Sequence, residues 1–286
     1  MLPDNFAVFI LSHGRADNVI TLKTLHRAGY TGRWYIVIDN EDKQADRYYQ
    51  NFGRENVIMF NKAEEAERTD CGDNFPERNT VLFARNACFD IAEGLGIEYF
   101  LVLDDDYSSF DYRYGDGLHY VTGKEIKEIT PIIYSMIEYY KKYNFKSLAM
   151  AQGGDFIGGH SGKYGNSLNR RRKVMNWWML SIKRRFDFIS RMNDDVSTYI
   201  TLGNRGSVFL TISNIALIQH ETQSNEGGLS DMYRAFGTYV KSFYTIMYLP
   251  SAVFIEMMGT GHRRLHHQIK YDNAVPCIIS EKWRRE

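Results

Sequence analysis

Cysteine is scarce. Cys71, Cys88 and Cys277 lie far apart in 286 residues with no Cys-x-x-Cys spacing, which excludes a disulfide framework or a cysteine zinc site as the organising feature. Proline is nearly as rare, at five residues, and glycine is scattered, so no linker or low-complexity tract divides the chain. No apolar run approaches the roughly 20 residues of a membrane span, and no basic-then-apolar leader precedes the first strand. The expectation is a soluble, cytoplasmic protein with reduced thiols and no membrane partner. An excess of one charge is also missing, because 35 Lys and Arg balance 35 Asp and Glu. Strong nonspecific binding to nucleic acid by the whole chain is therefore disfavoured. The balance is uneven along the sequence: residues 1–120 carry 12 Lys and Arg against 21 Asp and Glu, and residues 121–286 carry 23 against 14. A polyanionic partner would meet the second half.

What is present is apolar and aromatic. Hydrophobic residues make up 44% and aromatics 14%, enough for a large core, and the length suits one large α/β domain. Phe6-Ala-Val-Phe-Ile-Leu11 reads as a buried strand, followed by a Ser12-His-Gly-Arg15 loop and a helix over 18–28 with Leu22 and Leu25 on one face. Trp34 to Ile38 is a second strand ending in Asp39, then a helix over 44–51, and Val57 to Phe60 is a third strand. Residues 62–76 read as a surface loop, and 78–93 as a helix with Val81, Ala84, Cys88 and Ile91 inward. Residues 107–120 are aromatic and irregular, and 124–143 helical. Strands are expected at 147–152 and 208–218 and an apolar stretch at 252–257, with helices at 193–202 and 231–248. Repeated strand–helix alternation predicts an α/β fold with a mostly parallel sheet covered by helices.

The stretch with most chemical content is Glu98-Tyr-Phe-Leu-Val-Leu-Asp-Asp-Asp-Tyr107. An apolar run that stops at three carboxylates reads as a buried strand delivering Asp104, Asp105 and Asp106 to its C-terminal end, where open α/β sheets place ligands. Three adjacent anions repel one another unless a cation offsets them, and hard carboxylate oxygens suit Mg²⁺ or Mn²⁺. The alternative is a solvated acidic turn.

Several motifs together resemble the nucleotide-sugar glycosyltransferases of the GT-A fold. They are the Ser12–Arg15 loop after the first strand, Asp39 ending the second, Ala84-Arg-Asn86 on a helix, the Leu-Asp-Asp-Asp106 strand end, an Asp194-Asp-Val196 box, and His220 after a late strand. Within that fold the Ser-His-Gly-Arg and Asp-Asp-Asp-Tyr segments most resemble the TET/JBP-associated glycosyltransferases, largely phage-encoded and linked to sugar modification of hydroxymethylated pyrimidines in DNA. The resemblance implies a UDP-sugar donor and a Mn²⁺ or Mg²⁺ ion held by Asp104, Asp106 and His220. It implies a uracil contact at Asp39, with Ser12, Arg15, Arg85 and Asp105 on the donor. It also implies a single GT-A domain over 1–286, with 1–120 the nucleotide-sugar half and 121–286 the half that binds the acceptor.

If the enzyme inverts the anomeric centre, Asp195 matches the base position, with Asp194 positioning the sugar or serving as second candidate. Arg263, in Gly259-Thr-Gly-His-Arg-Arg264, is expected on a loop closing over the diphosphate. Arg170 to Lys173 and Lys183 to Arg185 are candidates for DNA phosphate contacts, with a solvated face as the alternative. Trp177 and Trp178, in an apolar strand, read as core, with stacking on a base or sugar as the alternative. The implied acceptor is 5-hydroxymethylcytosine in DNA. Open alternatives are a glycan, protein or small-molecule acceptor, a nucleotidyltransferase, and a catalytically silent binding module.

Overall fold

The computed structural model describes residues 1–116, 119–152, 156, 168–169, 176–219, 240–258 and 263–274. The first half alternates as expected: β1 (Phe6–Leu11), α1 (Ile20–Arg27), β2 (Trp34–Asp39), α2 (Ala45–Phe52), β3 (Val57–Phe60), α3 (Lys62–Arg68), α4 (Leu82–Gly94) and β4 (Tyr99–Asp104). All of β1 is buried, as are Phe100 to Leu103 of β4, because a strand covered on both faces needs apolar side chains at every position.

The second half adds β5 (Tyr107–Tyr114), β6 (Tyr120–Glu125), α5 (Ile129–Lys142), β7 (Phe145–Gln152), a short β8 (Leu168–Asn169), β9 (Trp177–Ser181), α6 (Asp194–Asn204) and β10 (Val208–Gln219). It continues with α7 (Val240–Tyr248), an antiparallel pair β11 (Val253–Met258) and β12 (Arg264–Ile269), and α8 (Tyr271–Ala274). Among the described residues no helix is long and apolar enough to cross a membrane.

One ten-stranded sheet runs in the order β3-β2-β1-β4-β9-β7-β10-β5-β6, with β8 beside β10. Pairing is parallel for β3·β2, β2·β1, β1·β4 and β7·β10, whereas β9, β5 and β8 run against their neighbours. All other strands share one direction, so the sheet is mostly parallel. The chain leaves β1 for β2 on one side while β4 pairs on the other, so the C-terminal ends of β1 and β4 flank a crevice at a topological switch point. Leu11 lies opposite Asp104 across that pair. The next residues of each strand, Ser12 and Asp105, open the site.

Trp177 and Trp178 are fully buried. Trp177 meets Phe110 edge-on at 5.5 Å and Trp178 meets Phe188 at 4.7 Å, the favoured aromatic geometry.

Three segments depart from the sequence reading. The expected surface loop at 62–76 begins with α3, whose Asn61 cap accepts hydrogen bonds from the Ala63 and Glu64 amides. Lys-Ala-Glu-Glu-Ala-Glu-Arg is a strong helix former, but its charges hid a helix that buries Lys62 and Glu65. The irregular stretch at 107–120 contains β5, which pairs with β10 through Ile215 opposite Tyr112, a partner about 100 residues away that no local pattern reveals. On α4 the fully buried set is Leu82, Phe83, Arg85, Asn86, Ala87, Cys88, Phe89 and Ala92, while Val81, Ala84 and Ile91 pack against the core half-buried, so the inward face is wider than the expected stripe. The polar members of that set bind other elements.

Candidate active site

The loop after β1 is fastened from two sides. Gly14 adopts φ 69°, a left-handed conformation that glycine takes without steric cost, and its amide donates to Asp42 Oδ2 at 2.7 Å. The Arg15 amide donates to the Tyr48 hydroxyl at 2.9 Å, which also lies 2.7 Å from Ser12 Oγ. Asp39, at the end of β2, is shared by His13 Nδ1 at 2.7 Å and Lys62 Nζ at 3.2 Å. Burial raises the Asp39 carboxyl, but the His13 hydrogen bond and the Lys62 ammonium outweigh it and hold it below its usual range. The same hydrogen bond holds the His13 imidazole above its usual value.

The three carboxylates after β4 are fixed by α1. Thr21 Oγ1 donates to the Asp104 carbonyl at 2.6 Å and accepts from the Tyr107 amide at 2.9 Å, and the Thr21 amide donates to the Asp105 carbonyl at 3.0 Å. Asp105 is buried, paired with Arg15 Nη1 at 2.7 Å and hydrogen-bonded by the Ser12 hydroxyl at 2.6 Å. Asp106 has less support. Burial first, then the charges of Asp104 and Asp105, push its carboxyl up to about 6.

Arg85 is 2% exposed and donates to Asp194 Oδ2 at 2.5 Å, Asn176 Oδ1 at 3.2 Å and Asp104 Oδ1 at 3.4 Å. Its ion pairs face other carboxylates rather than solvent, so the α4 arginine is an electrostatic hub between the β4 end and α6. Asp194 is correspondingly occupied. Burial raises its carboxyl to about 6 despite the Arg85 charge. Asp195 is half-buried and, among the described residues, has no hydrogen-bond or ion-pair partner, while its charge is felt at Asp104 and Asp194. The box is set by Asn193, left-handed at φ 54°, whose side-chain Nδ2 donates to the Lys241 carbonyl at 2.8 Å and Thr245 Oγ1 at 3.0 Å of α7.

A cleft of about 540 Å³ opens over this arrangement, lined by Ser12, His13, Arg15, Asp39, Lys62 and Asp104 to Asp106 among others. It thus gathers Ser12, Arg15, Asp39, Asp104, Asp105 and Asp106 on one wall, with Arg85 and Asp194 beneath and Asp195 close by. Arg263 is exposed just before β12 and does not line the cleft. His220 and Arg170 to Lys173 lie outside the described residues. Lys183 to Arg185 sit at the opposite end of β4, where the Ile182 amide binds the Glu98 carbonyl. There Lys183 pairs with Glu98 and Arg185 with Asp90, and Arg184 donates to the Tyr140 and Tyr143 carbonyls. They brace the far end of the sheet instead of facing the cleft.

The carboxylates fit a divalent cation. Asp104 and Asp106 offer hard oxygens, and Asp106 Oδ1 is buried with no hydrogen-bond partner among the described residues, a cost that a bound cation removes. Among the described residues no cluster of three His, Cys, Asp or Glu completes a metal shell. Residues missed by the sequence reading include Lys62, concealed in a charged helix, and Asn176 and Gln219, which nothing in their local sequence distinguishes.

A comparison with curated proteins finds no match. Among solved structures, the chain is similar to glucosyl-3-phosphoglycerate synthase from Mycobacterium tuberculosis in complex with Mn²⁺, UDP and phosphoglyceric acid, at 7% identity and TM-score 0.47, covering 96% of this chain and 88% of that one. The same synthase with Mg²⁺ and UDP aligns at 8% identity and TM-score 0.48, covering 92% and 87%. GalNAc-T7 with UDP, GalNAc and Mn²⁺ aligns at 10% identity and TM-score 0.46, covering 75% and 43%. The TET-Associated Glycosyltransferase family model matches residues 6–228, most of the chain including every carboxylate described above, and the protein belongs to that family of glycosyltransferases.

Proposed function

We propose that this enzyme transfers a sugar from a UDP-sugar to the hydroxymethyl group of 5-hydroxymethylcytosine in DNA, with Mn²⁺ or Mg²⁺ held by Asp104 and Asp106 and completed by His220. The observation that supports this reading is a cleft-lining Asp106 whose buried Oδ1 has no hydrogen-bond partner among the described residues, with the Asp195 carboxylate near enough for its charge to be felt at Asp104 and Asp194. Residues 1–120 supply the donor side and residues 121–286 the acceptor side. A divalent cation at the β4 end supplies charge to neutralise the leaving diphosphate.

The chain's own residues supply the rest. Both Asp39 oxygens are engaged, Oδ2 by His13 and Lys62 and Oδ1 by the Glu41 amide at 3.0 Å, so Asp39 holds His13 and Lys62 where they face the uracil of the donor. Arg15 and Ser12 keep Asp105 in place, and Arg15, part-exposed at the cleft, offers a cation to the donor's phosphates. Asp195 accepts the proton of the acceptor hydroxyl as its oxygen bonds to the anomeric carbon and the bond from that carbon to the diphosphate breaks, an inverting displacement. Asp194, paired with Arg85, is not free for that task and orients the box. The family's TET association and the basic excess of the second half support the DNA acceptor.

The experiment is donor turnover in two variants. Asp106→Ala is expected to lose metal-dependent turnover of the UDP-sugar. Asp195→Asn is expected to lose transfer by about 10²-fold or more while binding UDP as the wild type does. Wild-type rates in Asp195→Asn remove Asp195 as the base, and full activity of Asp106→Ala with or without Mn²⁺ removes the metal site.

A further inference from the structure

Beneath the cleft, side chains from four elements form a hydrogen-bonded relay that the transfer chemistry above does not use. Arg85 Nη2 donates to Asn176 Oδ1 at 3.2 Å, Asn176 Nδ2 donates to Gln219 Oε1 at 2.8 Å, and Gln219 Nε2 donates to Asp106 Oδ2 at 3.3 Å. Gln152 Nε2 reaches the same Gln219 oxygen at 3.5 Å. The polarity is dictated from both ends. A guanidinium only donates and an ionised carboxylate only accepts, so each amide has one orientation that satisfies both neighbours. Rotating either amide would set oxygen against oxygen and N–H against N–H.

The backbone is committed to this arrangement as well. Asn176, immediately before β9, is left-handed at φ 56°, a conformation that asparagine adopts more readily than other residues carrying a β-carbon. Gln219 is the last residue of β10, and its N–H is the one hydrogen bond that Asp106 receives among the described residues. It engages Oδ2 and leaves Oδ1 as the oxygen without a partner. At the far end of the relay Arg85 is paired with Asp194, the residue before Asp195. One continuous polar path therefore joins the carboxylate that faces the donor's diphosphate to the box that faces the acceptor.

We infer that Asn176 and Gln219 are positioning residues that fix Asp106 and the Asp194–Asp195 box relative to each other, so that donor activation and proton removal are held as one rigid unit. The inference rests on the transfer reading above. Charge repulsion among Asp104, Asp105 and Asp106 would otherwise turn the Asp106 carboxylate outward, and the amides hold it against that force cooperatively.

The test uses the full chain and three variants. Asn176→Gly keeps the left-handed backbone and deletes the amide, Asn176→Asp keeps the acceptor for Arg85 and deletes the donor, and Gln219→Met deletes the donor to Asp106 at similar volume without adding a charge. Mn²⁺ affinity is read without donor, by electron paramagnetic resonance of the free ion, and kcat and donor KM are read separately. Mn²⁺ affinity is expected to fall about 10-fold and kcat by about 10- to 100-fold in each variant, with UDP-sugar KM within about threefold. Mn²⁺ affinity and kcat both at wild-type level in any folded variant overturn the inference. If Asn176→Gly does not fold, the other two give the same reading, since neither removes side-chain volume. A wild-type protein that neither binds Mn²⁺ nor turns over a UDP-sugar overturns the function itself, whereas an active wild type with insensitive variants overturns only the relay.

Discussion

Asp106 sets function against stability. Its carboxyl is pushed up to about 6 from an ordinary 3.8, so ionising it is harder in the folded chain than in the unfolded one. The folded state therefore loses stability as pH rises through that interval, and the loss is complete above about pH 7. At pH 8 with chelator present, Asp106→Asn is expected to be more stable than wild type by about 1 kcal/mol after allowance for solvent screening. The difference should vanish near pH 4 in denaturant titrations. His13 has the opposite sign. Its pKa is raised by Asp39, so its contribution is fully present below about 6.5 and fades as pH rises through the folded value. The stability advantage of wild type over His13→Gln, under about 1 kcal/mol because the imidazole is half exposed, should shrink from pH 6 to pH 9. Loss in the other direction contradicts the pairing with Asp39. At this scale the aspartates of 104–106 were legible because carboxylates ending an apolar run are costly without a purpose. Lys62 was not, because its partner Asp39 lies 23 residues back and a lysine in a charged helix looks solvated.

Elements place these residues. The loop between α3 and α4 is held by Arg191, which is 2% exposed and grips Asp73 with two nitrogens and the Phe75 carbonyl at 2.8 Å. Tyr244 of α7 donates to the same carboxylate at 2.5 Å. This clamp fastens the segment leading to Asn79 and Thr80 of the cleft wall and stands two residues before the left-handed Asn193 that starts α6. Arg191→Ala removes the charged partner of Asp73, which keeps the Tyr244 hydroxyl and the Phe75 amide, and should cost about 1.5–3 kcal/mol, read as a lower urea midpoint with an unchanged slope. A loss below about 1 kcal/mol would mean the clamp is ordinary surface pairing. The parallel strands β1 to β4 were readable from local apolar runs. The pairing of β5 with β10 and the helical identity of α3 were not, since one depends on distant register and the other lacks an apolar stripe.

For the whole molecule the deciding property is charge placement. An acidic first half carries the cleft, and the basic excess of the second half was expected to meet DNA, yet Lys183, Arg184 and Arg185 brace the opposite end of the sheet. A DNA acceptor predicts that KM for DNA climbs steeply between 50 and about 200 mM salt while KM for the UDP-sugar barely moves. Lys183→Gln with Arg185→Gln should leave that slope unchanged. A flat salt response would favour a glycan, protein or small-molecule acceptor on the same cleft.

The most direct test of the account is nucleoside mass spectrometry after incubation of the wild-type enzyme, Mn²⁺ and a panel of UDP-sugars with plain, hydroxymethylated and already glycosylated DNA. A mass gain of one sugar is expected on hydroxymethylcytosine alone, with one donor preferred and none of it formed in chelator. Turnover of a UDP-sugar with every nucleoside unchanged would contradict the DNA acceptor, and product formed equally well in chelator would contradict the metal site at Asp104 and Asp106.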